Sequence, residues 1–148
     1  MHRFVLGLMT CISLAMAVPG QAASQDVVAL DPSIVTVITD GGWTQGDTRG
    51  IYRVIVRTGG SEHLVSAVQI DWLTEPRPDS SSVVRRSVLV DAVNDASDLL
   101  IAPVFRQVSI GWEVTLLGIN THLEPMTKTC WVIVLGRPGE LKVSNRIP

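Results

Sequence analysis

The sequence predicts an all-β protein: a single-domain antiparallel β-sandwich of seven to eight strands, immunoglobulin-like or related, that follows a cleaved signal peptide. Three observations support this prediction. Short runs rich in β-branched residues recur along the chain, turn sequences separate them at the spacing expected of a sandwich, and hardly any stretch has helical periodicity.

The N-terminal segment has the pattern of a secretory signal peptide. Arg3 is followed by an apolar run over residues 4–18, and small residues stand at Gly20 and Ala22. The run is too short and too lightly flanked for a membrane span. We therefore expect cleavage after Ala22 and export across the inner membrane of a Gram-negative bacterium, to the periplasm or the medium.

Cleavage divides the chain into a signal peptide, residues 1–22, and a β-sandwich domain, residues 23–148. This domain is large enough to bury one continuous core. Its formal charge is about −3, because cleavage of the leader removes one arginine from a chain whose total is −2. With so small a net charge, we expect no long-range attraction to nucleic acid or to anionic lipid. No later segment is apolar over the length of a spanning helix, so no transmembrane segment is expected after the leader.

The first predicted strand covers residues 33–39, where nearly every side chain is β-branched, and we expect burial on both faces. Residues 40–50 follow with four glycines and two aspartates, the composition of a flexible loop. Trp43 stands among these glycines, where it could stack on a sugar ring or anchor a partner protein. In the alternative interpretation, Trp43 folds back and closes one end of the sandwich.

Residues 49–58 give the clearest alternation of side chains between two faces. A two-residue turn at Gly59-Gly60 then returns the chain along a strand at residues 61–73. In this register the valine and tyrosine face is core, and Arg57 lies opposite Glu62 as a cross-strand ion pair.

The later strands are separated by short turn sequences. In residues 83–93 the pair Arg85-Arg86 requires that one arginine faces inward or that the strand lies at an edge. Residues 94–98 form a turn or a single helical turn, which residues 99–101 could extend into a short helix before Pro103. The remaining strands are predicted at residues 104–110, 111–121, 129–135 and 141–144.

Two surfaces are candidates for recognition, and we expect their residues to bind a ligand or a partner. The first is the glycine-rich loop, and the second is a row of arginines that could bind an acidic protein or a sulfated glycan. The row has a plainer interpretation as a solvated strand face. Isoleucines between the arginines suggest that another segment or subunit covers this side. The assigned residues are Asp40, Trp43, Gln45 and Asp47 from the loop, and Arg49, Arg53 and Arg57 from the row.

No catalytic, metal-ligating or cofactor-binding residues are predicted. His63, His122 and Cys130 are the nitrogen and sulfur donors of the domain, none is paired at short spacing, and each histidine is expected at the surface or its boundary. Cys130 lies in an apolar strand, so we expect a buried thiol, with an intermolecular disulfide or a reactive thiol as the alternative. Nucleophile and phosphate-binding motifs are missing. The remaining tryptophans, which are Trp72, Trp112 and Trp131, are expected in the core.

Taken together, the patterns favour a non-catalytic binding or accessory protein of the bacterial cell envelope. Loops at one end of the sandwich would recognise a protein or a glycan. A first alternative is an inhibitor of a secreted or host enzyme. A second is a small hydrolase whose site is assembled from scattered carboxylates.

Overall fold

The computed structural model describes residues 31–76, 78, 80–101, 103–120, 122–123 and 125–146. Within these ranges the chain is nearly all β, with nine strands and one helix of four residues. The all-β prediction is therefore confirmed, although the strands outnumber the predicted seven to eight. The predicted signal peptide lies outside the described residues. No helix in the described part of the chain combines the length and the apolar character needed to span a membrane.

The strands form two antiparallel sheets, with helix α1 (Asp91–Asn94) between them along the chain. The first sheet contains β1 (Ile34–Gln45), β2 (Thr48–Gly59), β3 (Val65–Thr74) and β4 (Val84–Leu89). The second contains β5 (Asp98–Leu100), β6 (Val104–Val108), β7 (Gly111–Asn120), β8 (Thr127–Leu135) and β9 (Leu141–Asn145).

Each sheet consists of strands that are consecutive in the chain. The order in the first sheet is β1-β2-β3-β4, and in the second it is β5-β7-β8-β9, with β6 also paired to β7. Immunoglobulin domains instead draw each sheet from strands distributed along the chain. Two antiparallel sheets are thus confirmed, and the immunoglobulin-like type is not.

The core lies between the two sheets, where alternate residues of β2, β3, β7 and β8 point inward. Full burial of each large apolar side chain contributes about 1.5–3 kcal/mol, so the cluster is the main source of stability. Trp72 and Trp131 belong to it and Trp112 packs against it, as predicted. Its buried members are Trp43, Tyr52, Val54, Val56, Val68, Ile70, Trp72, Val90, Val93, Leu100, Val114, Leu116, Trp131, Ile133 and Leu135.

The predicted register of the β2–β3 hairpin is wrong. Val54 pairs with Ile70, and the connection contains residues 60–64 rather than two glycines. Arg57 consequently lies opposite Ala67 and makes no cross-strand pair with Glu62. The reason is the apolar pattern of β3: the observed register turns Val68, Ile70 and Trp72 to the core, whereas the predicted one would have turned polar neighbours inward. The valine and tyrosine face of β2 is core, as predicted.

The first strand is longer and more exposed than the sequence predicts. β1 continues to Gln45, with register shifts between Ile34 and Thr36 and between Asp40 and Trp43. The loop predicted at residues 40–50 is therefore wrong, and a two-residue turn joins β1 to β2. Burial on both faces is also wrong, because β1 is an edge strand with Val35 and Val37 exposed. A β-branched run indicates a strand, but not how deeply it is buried.

The middle of the chain also differs from the prediction. The helical turn α1 comes three residues early, and residues 98–100 form strand β5 instead of a helix. β5 pairs with the edge of β7, where Leu100 lies opposite Gly118, so tertiary pairing outweighs the local helical preference. β4 is an edge strand with Arg85 and Arg86 exposed, as its charges require.

Candidate functional site

One end of the molecule, which we call the turn end, gathers four connections. Antiparallel pairing brings there the turns after β1, β3, β6 and β8. They lie at residues 46–47, 75–83, 109–110 and 136–140. The opposite end, which carries His63 and His122, is called the histidine end. Loops held on a rigid two-sheet scaffold are the usual place for binding residues.

Two aromatic side chains of the first sheet fix the β8–β9 turn. The Tyr52 hydroxyl and the Trp72 Nε1–H each donate a hydrogen bond of 3.0 Å to the Gly136 carbonyl oxygen. The two rings meet edge to face, with centroids 6.2 Å apart. Burial raises the pKa of Tyr52 to about 12. The turn end therefore has a rigid floor that joins both sheets.

Trp43, predicted as a recognition residue, is part of this floor. Its side chain is 5% exposed, and its Nε1–H donates to the Ile51 carbonyl oxygen at 3.2 Å. A Cβ at Gly50 would overlap both the Trp43 ring and the Leu73 carbonyl oxygen, so only glycine permits this packing. The interpretation in which Trp43 closes one end of the sandwich is confirmed, and the exposed-loop interpretation is wrong because β1 continues through this segment.

An apolar hollow of about 530 Å³ opens beside the β8–β9 turn. Its most accessible apolar side chain is Ile110, which is 73% exposed at the tip of the β6–β7 turn. Glu140 and Lys142 are exposed and bring opposite charges to its lining. Its residues are Ile110, Val134, Leu135, Gly136, Gly139, Glu140, Leu141 and Lys142.

A second depression at the turn end is lined mainly by polar and charged residues. It measures about 370 Å³ and lies between the β1–β2 turn and the β3–β4 connection. The structure brings two predicted site residues together here, Asp47 and Arg49, and adds the carboxylate of Glu75. All three side chains are exposed. The described lining residues are Asp47, Thr48, Arg49, Thr74, Glu75, Pro76, Pro78, Ser80, Ser81 and Val83.

The predicted arginine row does not act as one surface. Arg53 holds the buried Asp71 through Nε and Nη2, at 2.9 and 2.6 Å from Oδ2, and Gln69 Nε2 donates to Asp71 Oδ1 at 2.8 Å. Burial alone would raise the pKa of Asp71, but hydrogen bonds from Gln69, Ser87 and Arg53 lower it below its ordinary value.

The network extends along the outer face of the first sheet. Arg57 Nη1 donates to Gln69 Oε1 at 2.9 Å, and Arg57 Nε lies 3.8 Å from Asp31 Oδ2. Arg53 and Arg57 thus have partners within the chain, and Ile55 between them is buried, so this face is not a simple solvated one. Arg49 belongs to the second depression. Asp40 and Gln45 are exposed on β1 and line neither depression.

Cys130 is a free, half-buried cysteine. The expectation of a fully buried thiol is wrong, because Trp131 and Ile133 take the inward positions of β8 and turn Cys130 to the outer face. Among the described residues, no three His, Cys, Asp or Glu side chains converge as they would to hold a metal ion. The geometry of the turn end is suited to binding a partner against an apolar patch with charged borders.

The hollow around Ile110 was not predicted from the sequence. A signal was present: Ser109-Ile110-Gly111 places a large apolar residue at a turn, where polar residues and glycine are the usual choice.

Comparison of the chain with protein-family models, with curated proteins and with solved structures finds no match to any of them.

Proposed function

We propose that this chain is an exported, non-catalytic binding protein of the bacterial cell envelope, built on a sandwich of two antiparallel β-sheets. Its recognition surface is the turn end. The observation that carries the proposal is the hollow beside the β8–β9 turn, where Ile110 is 73% exposed and Gly136 of the lining is held by hydrogen bonds from Tyr52 and Trp72. A partner that fills this hollow would remove the Ile110 side chain and its aliphatic neighbours from water, which favours association.

A protein partner is favoured over a glycan. Sugar rings stack on exposed aromatic faces. The tryptophans and the tyrosine in the described part of the domain are buried or partly buried, so they present little face to a sugar. Tyr52, Trp43, Trp72 and Trp131 are buried, and Trp112 packs partly against the core. The turn end instead exposes aliphatic side chains that are bordered by Glu140 and Lys142. Protein–protein interfaces have this composition, with an apolar core and a polar rim. An inhibitor of a secreted or host enzyme is one form of such a partner-binding protein.

The proposal is tested by a pair of matched substitutions. Ile110→Arg places a charge in the hollow, and Met126→Arg is the control, since Met126 is 67% exposed near the histidine end. Both residues are exposed, so each change should alter the free energy of unfolding by less than about 0.5 kcal/mol. We expect the immobilised wild type and Met126→Arg to retain the same envelope protein, and Ile110→Arg to lose it. Equal retention by all three would contradict the proposal.

Export is tested separately. The proposal requires a mature chain that begins at Ala23, which mass spectrometry of the protein recovered from the periplasm or the medium would show. A chain that stays in the cytoplasm with its first 22 residues attached would contradict export while leaving the binding surface to be judged on its own experiment.

A second candidate function is a small hydrolase, favoured by the second depression, which holds both Asp47 and Glu75. Two carboxylates on a concave surface are the minimum that glycoside hydrolysis requires. Asp47→Asn and Glu75→Gln preserve shape while removing the charges. If the chain is a hydrolase, each change abolishes release of reducing ends from cell-wall and capsular polysaccharides. If wild type and both variants release none, the hydrolase candidate is wrong.

A further inference from the structure

Two histidines that are distant in the sequence lie against each other at the histidine end. His63 is in the connection between β2 and β3, and His122 follows β7, so each comes from a different sheet. Their ring centroids are 4.5 Å apart and the ring planes are inclined by 44°. Both side chains are exposed. Nothing in the spacing of these residues along the chain predicts this pair.

Local backbone structure holds both histidines in position. The connection that carries His63 folds tightly over Gly60, which has a φ of +112° and leaves no room for a Cβ against the His63 carbonyl oxygen. On the other sheet, the backbone N–H of His122 donates to the Asn120 side-chain oxygen at 3.0 Å. These contacts lower the conformational cost of bringing the two imidazoles together.

The separation of the rings fits one shared metal ion. With a metal–nitrogen bond of about 2.0 Å, each ring centre stands about 3.2 Å from the ion. A right angle at the ion then separates the ring centres by about 4.5 Å, and a tetrahedral angle separates them by about 5.2 Å. For rings that each turn one nitrogen toward a shared ion, the observed 4.5 Å is nearer to the right-angle separation, the geometry that Cu(II) and Ni(II) prefer, than to the tetrahedral separation of zinc.

We propose that His63 and His122 form an exposed two-histidine site for a tetragonal divalent ion, with Cu(II) bound most tightly. Each neutral imidazole contributes one nitrogen lone pair, and water completes the coordination. Imidazole nitrogen is a preferred ligand of copper, and copper exceeds nickel and zinc in affinity for such donors. Because the two ligands come from different sheets, the bound ion would also link the sheets and stabilise the folded state. The site is at the opposite end from the proposed recognition surface and does not depend on it.

The test is titration of the tag-free mature protein, which begins at Ala23, with CuCl2, monitored by calorimetry and by electron paramagnetic resonance. We expect one Cu(II) per chain, a resonance signal split by two equivalent nitrogens, and a higher thermal midpoint in the presence of Cu(II). His63→Ala and His122→Ala should each weaken binding by about 100-fold, because each removes the effective concentration that one ligand gives the other. The double variant, which keeps neither imidazole, should bind more weakly than either single one.

Cys130→Ser is the control, since it removes the free, half-buried thiol of the domain and should leave the affinity unchanged. The midpoints of the metal-free variants should equal that of the wild type, because both imidazoles are exposed. Copper affinity unchanged in His63→Ala or His122→Ala would overturn the proposal and leave a stacked imidazole pair only. Tighter binding of ZnCl2 than of CuCl2 would overturn the tetragonal geometry and with it the assignment of the ion.

Discussion

The two ends of the molecule join the same pair of sheets by different chemistry. At the turn end, Tyr52 and Trp72 both donate to one carbonyl oxygen, that of Gly136, over an aromatic floor. Toward the histidine end, side-chain oxygens accept hydrogen bonds from backbone N–H groups. The Leu100 N–H donates to Ser66 Oγ at 3.0 Å, and the Val68 N–H donates to Asn94 Oδ1 at 2.7 Å.

The histidine end also contains the less complete hydrogen bonding. Trp131 Nε1–H donates to Asp98 Oδ2 at 2.8 Å, while Asp98 Oδ1 and Thr129 Oγ1 are buried without a hydrogen-bond partner among the described residues. The Gly136 carbonyl has two donors where one would satisfy it, whereas the Asp98 carboxyl has one donor where it could accept several. We therefore expect that loss of a single hydrogen-bond donor is tolerated at the turn end and is costly at the histidine end.

The largest expected effect comes from removing the aromatic floor. Trp72 is completely buried, so Trp72→Ala leaves a cavity in the core and should lower the free energy of unfolding by about 3–5 kcal/mol. Urea unfolding followed by far-ultraviolet circular dichroism measures the loss. A loss below about 1 kcal/mol would mean that the turn end is not held by this floor.

The same substitution at both ends shows whether their hydrogen bonds differ in their effect on stability. Trp72→Phe removes a donor from Gly136, which keeps the Tyr52 hydroxyl, whereas Trp131→Phe leaves the Asp98 carboxyl without its donor. An unsatisfied buried group costs about 1–3 kcal/mol, so Trp131→Phe should be the more destabilising variant by that amount. Equal losses in urea would show that the two ends do not differ in this respect.

The smallest expected effect on stability tests the redundancy at Gly136. Tyr52→Phe removes one of two donors and should cost about 1 kcal/mol at neutral pH. Burial raises the pKa of Tyr52 from 10.0 to about 12 in the folded protein, so the stability linked to it is fully present below pH 10 and is lost as the pH rises toward about 12.

Tyr52 is the one tyrosine of the chain, which makes its alkaline contribution separable. Urea midpoints at about pH 9 and about pH 11 should fall more in the wild type than in Tyr52→Phe, because the phenylalanine has no proton to lose. An identical fall in both proteins would contradict the burial of the Tyr52 hydroxyl at the Gly136 carbonyl.

Much of the fold could be predicted from local pattern. Strands β6 to β9 form where alternation and turn residues place them, and Trp72 and Trp131 lie in the core because strand patterns with a large apolar residue indicate burial. The β2–β3 register could not be read from Gly59-Gly60 alone. A turn signal competes with the apolar pattern of the returning strand, and core burial is worth more than a favourable turn.

The candidate site was less predictable. Glycines at positions 41, 42 and 50 suggested a loop, but Gly50 serves the close packing of Trp43, and β1 continues through the segment by means of an irregular register. Asp47 was assigned from the predicted loop and Arg49 from the arginine row, and the structure places both, exposed, beside the β1–β2 turn. The hollow at Ile110 and the pair His63 and His122 depend on tertiary proximity, which short-range spacing does not contain.

Site-specific photo-crosslinking tests whether the turn end is the recognition surface. A benzophenone amino acid is placed at Ile110 in one protein and at the similarly exposed Met126 in another, and both are irradiated in the native envelope. We predict one discrete crosslinked species from position 110 and none from position 126. The same species from both positions, or a discrete species from position 126 alone, would contradict this assignment.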